Sequence, residues 1–293
     1  MHARLSLVVM ALAVSACRPA DEPCGPTTCA GCCDAAGECQ AGNTVAACGG
    51  TAGGMCAVCT EGNGCFSGAC GPIVTTPACD PTPVTCSDQS VMQLDFRAPT
   101  ASGPVMTTSA DGVYSTYVDA RAGGLNPTES YTYVRFTDAG VERVALSDES
   151  SLTSVAWDMA FRRYVLRINS GVGGPSCVQA ARTAPMTSFE SVTSVDPGLA
   201  FRTEAYFTST CDIIPDGSGL DAPATAMASF WTYQNCVRMT GNVYVVKLAN
   251  GRPLKLQVQS YYDVDKQAVC DSTGSVPMPN GAGQLRFRWA FLE

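Results

Sequence analysis

The 293-residue chain carries 18 Lys and Arg against 26 Asp and Glu, a net charge of −8, and holds 17 cysteines. An acidic chain lacks the positive charge that phosphate neutralisation and polybasic membrane patches require, which argues against nucleic acid. The one histidine is His2, so no Ser-His-Asp or Cys-His pair and no histidine-based zinc site can form further along.

The first element is MHARLSLVVMALAVSAC. Arg4 supplies the positive start, Leu5 to Val14 a short apolar run, and Ser15-Ala16 a small pair set directly against Cys17. This order predicts a lipoprotein signal peptide over 1–16, with Cys17 acylated as the first residue of a lipidated tether, 17–23. An ordinary cleaved secretory signal is the alternative. The apolar run is too short to remain as a spanning helix, so acyl chains would hold the protein on a membrane. Setting Cys17 aside leaves an even sixteen cysteines, as complete disulfide pairing in an oxidising compartment requires.

Residues 24–70 hold ten cysteines and almost no large apolar side chain. A segment with so little core must be stapled, which predicts a disulfide-rich module. Its adjacent Cys32-Cys33 pair gives a cysteine order similar to knottin-type modules, with connectivity left open. Cys56 and Cys59 form a CxxC, for which a zinc or iron site is the alternative to disulfides. Residues 71–90, rich in Pro and Thr, read as a linker in which Cys79 and Cys86 close a small loop.

From 91 to 293 the chain reads as strands throughout. Asn250-Gly251 predicts a type I′ turn joining an arm with Tyr244, Val246 and Leu248 on one face to an arm with Leu254, Leu256 and Val258 on one face. A second hairpin turns at Asp138-Ala139-Gly140. In the closing QLRFRWAFLE, Leu285, Phe287, Trp289 and Phe291 alternate with Arg286 and Arg288. PATAMASF (223–230) supports a short helix at most. The expected architecture is an all-β, curved antiparallel sheet or sandwich.

AWDMAFRRYVLRINSG, 156–171, poses a problem: Trp157, Met159 and Phe161 are odd-numbered, whereas Tyr164, Leu166 and Ile168 are even. One flat strand cannot bury both sets on one face. A β-bulge at Arg162-Arg163 would let the strand serve two packing regions. Asp158 is expected to pair with one of these arginines or with a backbone donor.

The run YTYVRFTDAGVERVAL, then WDMAFRRYVLRINSG, then YVVKLANGRPLKLQVQSYYD and a closing GQLRFRWAF resembles the HmuY family of bacterial surface lipoproteins over about 112–293. The resemblance implies an all-β domain displayed on the outer membrane, on its periplasmic or outer face. It also implies haem capture and transfer to a TonB-dependent outer-membrane receptor. Paired axial histidines, which the best-known members use, are impossible here. The corresponding loops, about 211–223 and 233–241, offer Met239 and Tyr233, with Met227 nearby, as haem ligands, and thioether and phenolate both ligate haem iron. Core filling is the plainer role for each methionine. Arg162 and Arg163 are candidates to clamp haem propionates, with a structural role weighted higher.

The four cysteines of this region suggest a Cys211–Cys236 bridge across the ligand loops, leaving Cys177–Cys270. Asp212, Asp216 and Asp221 offer oxygens for calcium but lack EF-hand spacing, so no metal site is assigned. Oxidised thiols, unremarkable acid spacing and the absence of a phosphate-cradling loop point away from an enzyme. The expected function is histidine-free binding of haem or a similar flat apolar ligand. The alternative is a lipid-anchored surface display or adhesion protein with no haem site.

Overall fold

The computed structural model describes residues 23–50, 52–60, 63–66, 68–72, 79–124 and 126–292; the signal segment and Cys17 lie outside the described residues. The chain divides between Thr75 and Thr76 into two compact units.

In the first unit the strands are only two to four residues long. Its deeply buried side chains include Cys29, Cys32, Cys33 and Cys48, so sulfur takes the place of an apolar core. Bridges join Cys24–Cys33, Cys29–Cys39, Cys32–Cys56, Cys48–Cys65 and Cys59–Cys70. The CxxC pair therefore enters two different disulfides. Among the described residues, the groups of potential metal ligands within reach of one another are cysteines already paired in this way.

The second unit begins earlier than the predicted linker allows. Cys79 bonds Cys177 and Cys86 bonds Cys211, instead of each other. The Thr82 amide donates to Pro175 O, and Ser87–Gln93 forms a helix. The expected Cys211–Cys236 and Cys177–Cys270 bridges are likewise replaced, because Cys236 bonds Cys270. That bond fastens helix Val264–Thr273 to strand Val237–Met239. This helix departs from the expected near-absence of helix. Its residues show no strong apolar period, and Gly274 ends it in a left-handed conformation.

Two antiparallel sheets form the body. The larger runs in the order Gln179–Arg182, Val243–Lys247, Pro253–Ser260, Gln284–Phe291, Val113–Asp119, Val105–Ala110. The smaller runs Gly140–Val144, Thr132–Thr137, Met159–Arg162, Val165–Ile168. Period-2 alternation aims Leu285, Phe287 and Trp289 inward, and the facing sheet contributes Phe136 and Phe161. Phe161 stacks on Phe287 at 5.4 Å, and Phe136 meets Trp289 edge-on at 5.0 Å. The Trp289 indole N–H donates to Thr116 Oγ1 at 3.0 Å, so its polar atom is satisfied within the core.

The Asn250-Gly251 hairpin forms with the expected faces: Tyr244 opposes Leu256 and Val246 opposes Leu254. Its turn differs from type I′. Gly251 donates to Leu248 O, the Leu248 amide to Arg252 O, and Gly251 alone is left-handed, giving a three-residue loop.

The phase change at Arg162-Arg163 is a hairpin turn, and the bulge reading is corrected. Met159 pairs with Ile168 and Phe161 with Leu166, leaving Arg163 and Tyr164 as a two-residue loop. Antiparallel pairing across an even-length loop sets odd residues opposite even ones, so Met159 and Phe161 reach the same core face as Leu166 and Ile168, whereas Trp157, ahead of the strand, packs with Tyr131, Tyr133 and Ala160 in a separate cluster. Arg163 takes the left-handed position (φ 52) that glycine or asparagine usually fills. On the opposite face Arg167 is fully buried in an aromatic cage, 4.5 Å from the Tyr131 ring centre and 4.8 Å from that of Phe96. It donates to Tyr133 Oη at 2.8 Å.

Candidate functional site

The loop 211–223 separates two clefts of the second unit. One, of 420 Å³, lies between this loop and the hairpin formed by Trp231–Tyr233 and Val237–Met239. Arg182, Asp216, Ser218, Trp231, Thr232, Tyr233, Thr240 and Asn242 line it.

Each group reaches the cleft for a local reason. Arg182 ends the edge strand of the larger sheet, paired with Tyr244, and its side chain is exposed. Asp216 Oδ1 accepts the Ser218 amide at 2.9 Å, closing a side-chain-mediated turn that leaves Oδ2 for the cleft. Asn242 donates to Ser229 O at 2.7 Å and Thr240 to the same oxygen at 2.9 Å, fixing the far wall. Tyr233 is 41% exposed at the end of its strand. Its neighbour Trp231 turns inward against Tyr164, with ring centres 5.1 Å apart.

The predicted ligand residues do not converge. Met227 has no exposed surface, and its backbone oxygen accepts from Tyr244 Oη, so its thioether is core and is unavailable to a ligand. Met239 packs against the same core from the paired strand, opposite Trp231. Tyr233 alone of the three lines the cleft.

Arg162 and Arg163 lie elsewhere, in the second cleft. Arg162 is 5% exposed and binds the Leu94 and Asp95 carbonyls and the Asp95 carboxylate, which makes it structural. Arg163 donates to Ala282 O at 3.1 Å. Asp158 takes the backbone-donor option, accepting the Phe136 amide at 2.8 Å. The three acids weighed for calcium do not assemble. Asp212 accepts from Thr210 Oγ1, Asp216 lines the first cleft and Asp221 the second.

Two groups escaped sequence reasoning. Arg182 gave no signal, since an arginine at a strand end is ordinary. Met186 is 99% exposed and left-handed (φ 64), on the loop that leaves the Arg182 strand. Single exposed methionines are ordinary, as Met55, Met92 and Met278 show, so nothing in the sequence marks this one.

For a haem, Tyr233 offers a phenol oxygen suited to ferric iron and Arg182 a guanidinium suited to a propionate. The donor chemistry fits. The wall itself is mostly polar.

Residues 127–273 match the family model described as HmuY protein. Among solved structures, a Bacteroides fragilis protein assigned as a lipoprotein is 13% identical, over 64% of this chain and 93% of that one, with a TM-score of 0.41. A Bacteroides vulgatus protein assigned as HmuY-like and haem-binding is 17% identical over 64% and 96%, with a TM-score of 0.39. The apo HmuY analogue of Tannerella forsythia is 15% identical over 65% and 97%, with a TM-score of 0.36. No curated protein matches the chain.

Proposed function

We propose, from the premise that the chain belongs to the HmuY family, that it is a surface lipoprotein binding haem or a similar flat apolar ligand through the 420 Å³ cleft. Tyr233 carries this reading: it is the one predicted ligand residue that opens on a cleft, and Arg182 lines the same cavity. A bound haem would supply a Lewis-acidic iron for an oxygen or sulfur donor. Tyr233 would contact that iron and supply aromatic surface, and Arg182 would hold a carboxylate. The protein acts as a carrier rather than a catalyst. Acylation at Cys17 would hold it at the outer membrane, where a TonB-dependent receptor would take the ligand.

The polar lining of Asp216, Ser218, Thr232, Thr240 and Asn242 favours a second reading, a display or adhesion protein whose cleft holds no haem. Haemin titration separates the two. A saturable Soret shift that moves in Tyr233→Phe and weakens in Arg182→Ala supports haem capture. A spectrum identical to free haemin supports the display reading. A shift that persists in Tyr233→Phe and is lost in Met239→Ala transfers the role to the other predicted ligand.

A further inference from the structure

The second cleft, of 380 Å³, is walled by three of the left-handed non-glycine residues: Asp95 (φ 53), Arg163 (φ 52) and Asp221 (φ 52). Such backbone conformations are costly for residues with a Cβ, persist only where their surroundings enforce them, and cluster at ligand sites. The surroundings here are stiff. The Cys86–Cys211 bridge and Gln93, which donates to Cys211 O at 3.0 Å and accepts the Ile213 amide at 3.2 Å, fix one rim. Arg162, bound to Asp95, fixes the other. Val165, Ile213, Leu220 and Tyr131 give the cleft an apolar lining.

Two opposite charges stand on this wall without pairing to each other. Arg163 uses one N–H on Ala282 O and keeps the remaining guanidinium donors. The Asp221 carboxylate has no side-chain partner among the described residues, so neither charge is neutralised from within. We propose that this cleft binds a zwitterion with an apolar side chain, an amino acid or short peptide. Its carboxylate meets Arg163, its ammonium Asp221, and its side chain the Val165–Leu220 lining. The volume lies toward the lower end of the range for small-ligand pockets, about 300–1,000 Å³. A dianionic haem suits it poorly, because Arg162 is already engaged by Asp95, which leaves Arg163 alone to face two propionates with the Asp221 carboxylate opposing them.

The test is calorimetric titration of the whole chain with the dipeptide Leu-Leu, with its N-acetylated form, which lacks the ammonium, and with its C-terminal amide, which lacks the carboxylate. Saturable binding of Leu-Leu that weakens about tenfold or more for each blocked form is expected. Arg163→Asn and Asp221→Asn place a residue that tolerates the left-handed conformation at each position. The first should abolish discrimination against the amide, and the second discrimination against the acetylated form. No binding of Leu-Leu, or equal binding of all three forms by the unmodified protein, overturns the proposal whatever the variants do. Binding that both variants retain with discrimination intact places the ligand elsewhere and also overturns it.

Discussion

At the scale of single residues, two buried carboxylates govern how stability responds to pH. Burial pushes Asp158 up to about 6, against the opposing pull of the Phe136 amide and the Arg135 charge. Burial pushes Glu204 up to about 7, against the Ile168 and Ala226 amides and the charges of Arg167 and Arg202. Both folded values lie above those of the unfolded chain, so the native state binds the extra protons between them. The stability these two groups contribute is therefore fully present at low pH and is lost as pH rises from about 4 through 7.

Asp158→Asn isolates one contribution. Only one oxygen of Asp158 is used, by the Phe136 amide, and an asparagine carbonyl can accept the same bond. The variant should melt with a flatter pH profile and be on the order of 1–3 kcal/mol more stable than the parent at pH 7. Thermal melts from pH 4.5 to 7.5 check this, and parallel profiles would refute it. Glu204 gives no such clean probe, because its two oxygens accept from two different amides and glutamine satisfies only one.

At the scale of elements, alternation was readable wherever one strand face is apolar and the other polar, as in Leu254 to Val258 and Leu285 to Phe291. The turn after Arg162 was not, because nothing in Arg163-Tyr164 carries the glycine or asparagine that marks a tight hairpin; pairing with the Phe161 and Met159 strand imposes the conformation instead. Cysteine partners were also hidden, since pairing depends on which segments the fold brings together. Tyr233 was legible as a ligand candidate because it sits in a loop of the family pattern, whereas Arg182 gained meaning only from the cleft it lines.

The Cys86–Cys211 bridge closes a separation of 125 residues. Removing a cross-link of that span frees a large loop of the unfolded chain, so Cys86→Ala with Cys211→Ala should cost about 2–4 kcal/mol. A lower urea midpoint with an equal or steeper slope, as the unfolded chain exposes more surface, is the expected reading, and an unchanged midpoint the contrary one.

At the scale of the whole molecule, the two units rest on different physics. The first depends on five disulfides around a core of sulfur. The second has two sheets packed through Phe136, Phe161, Phe287 and Trp289, with three disulfides added. Calorimetry under full reduction should therefore keep a cooperative transition from the second unit at lower temperature, while the first unit no longer contributes one. Loss of every transition on reduction would contradict this division.

The Cys79–Cys177 bond gives the second unit an unusual mechanical property. Tension arriving along the chain from its N-terminal side meets a covalent shortcut at Cys79, which passes the load straight to Cys177, two residues before the sheet's edge strand. The helix Ser87–Gln93 and the four strands of the smaller sheet, all lying between the two cysteines, are bypassed, so a protein tugged from its leading end would leave them unstretched while the edge strand Gln179–Arg182 takes the pull.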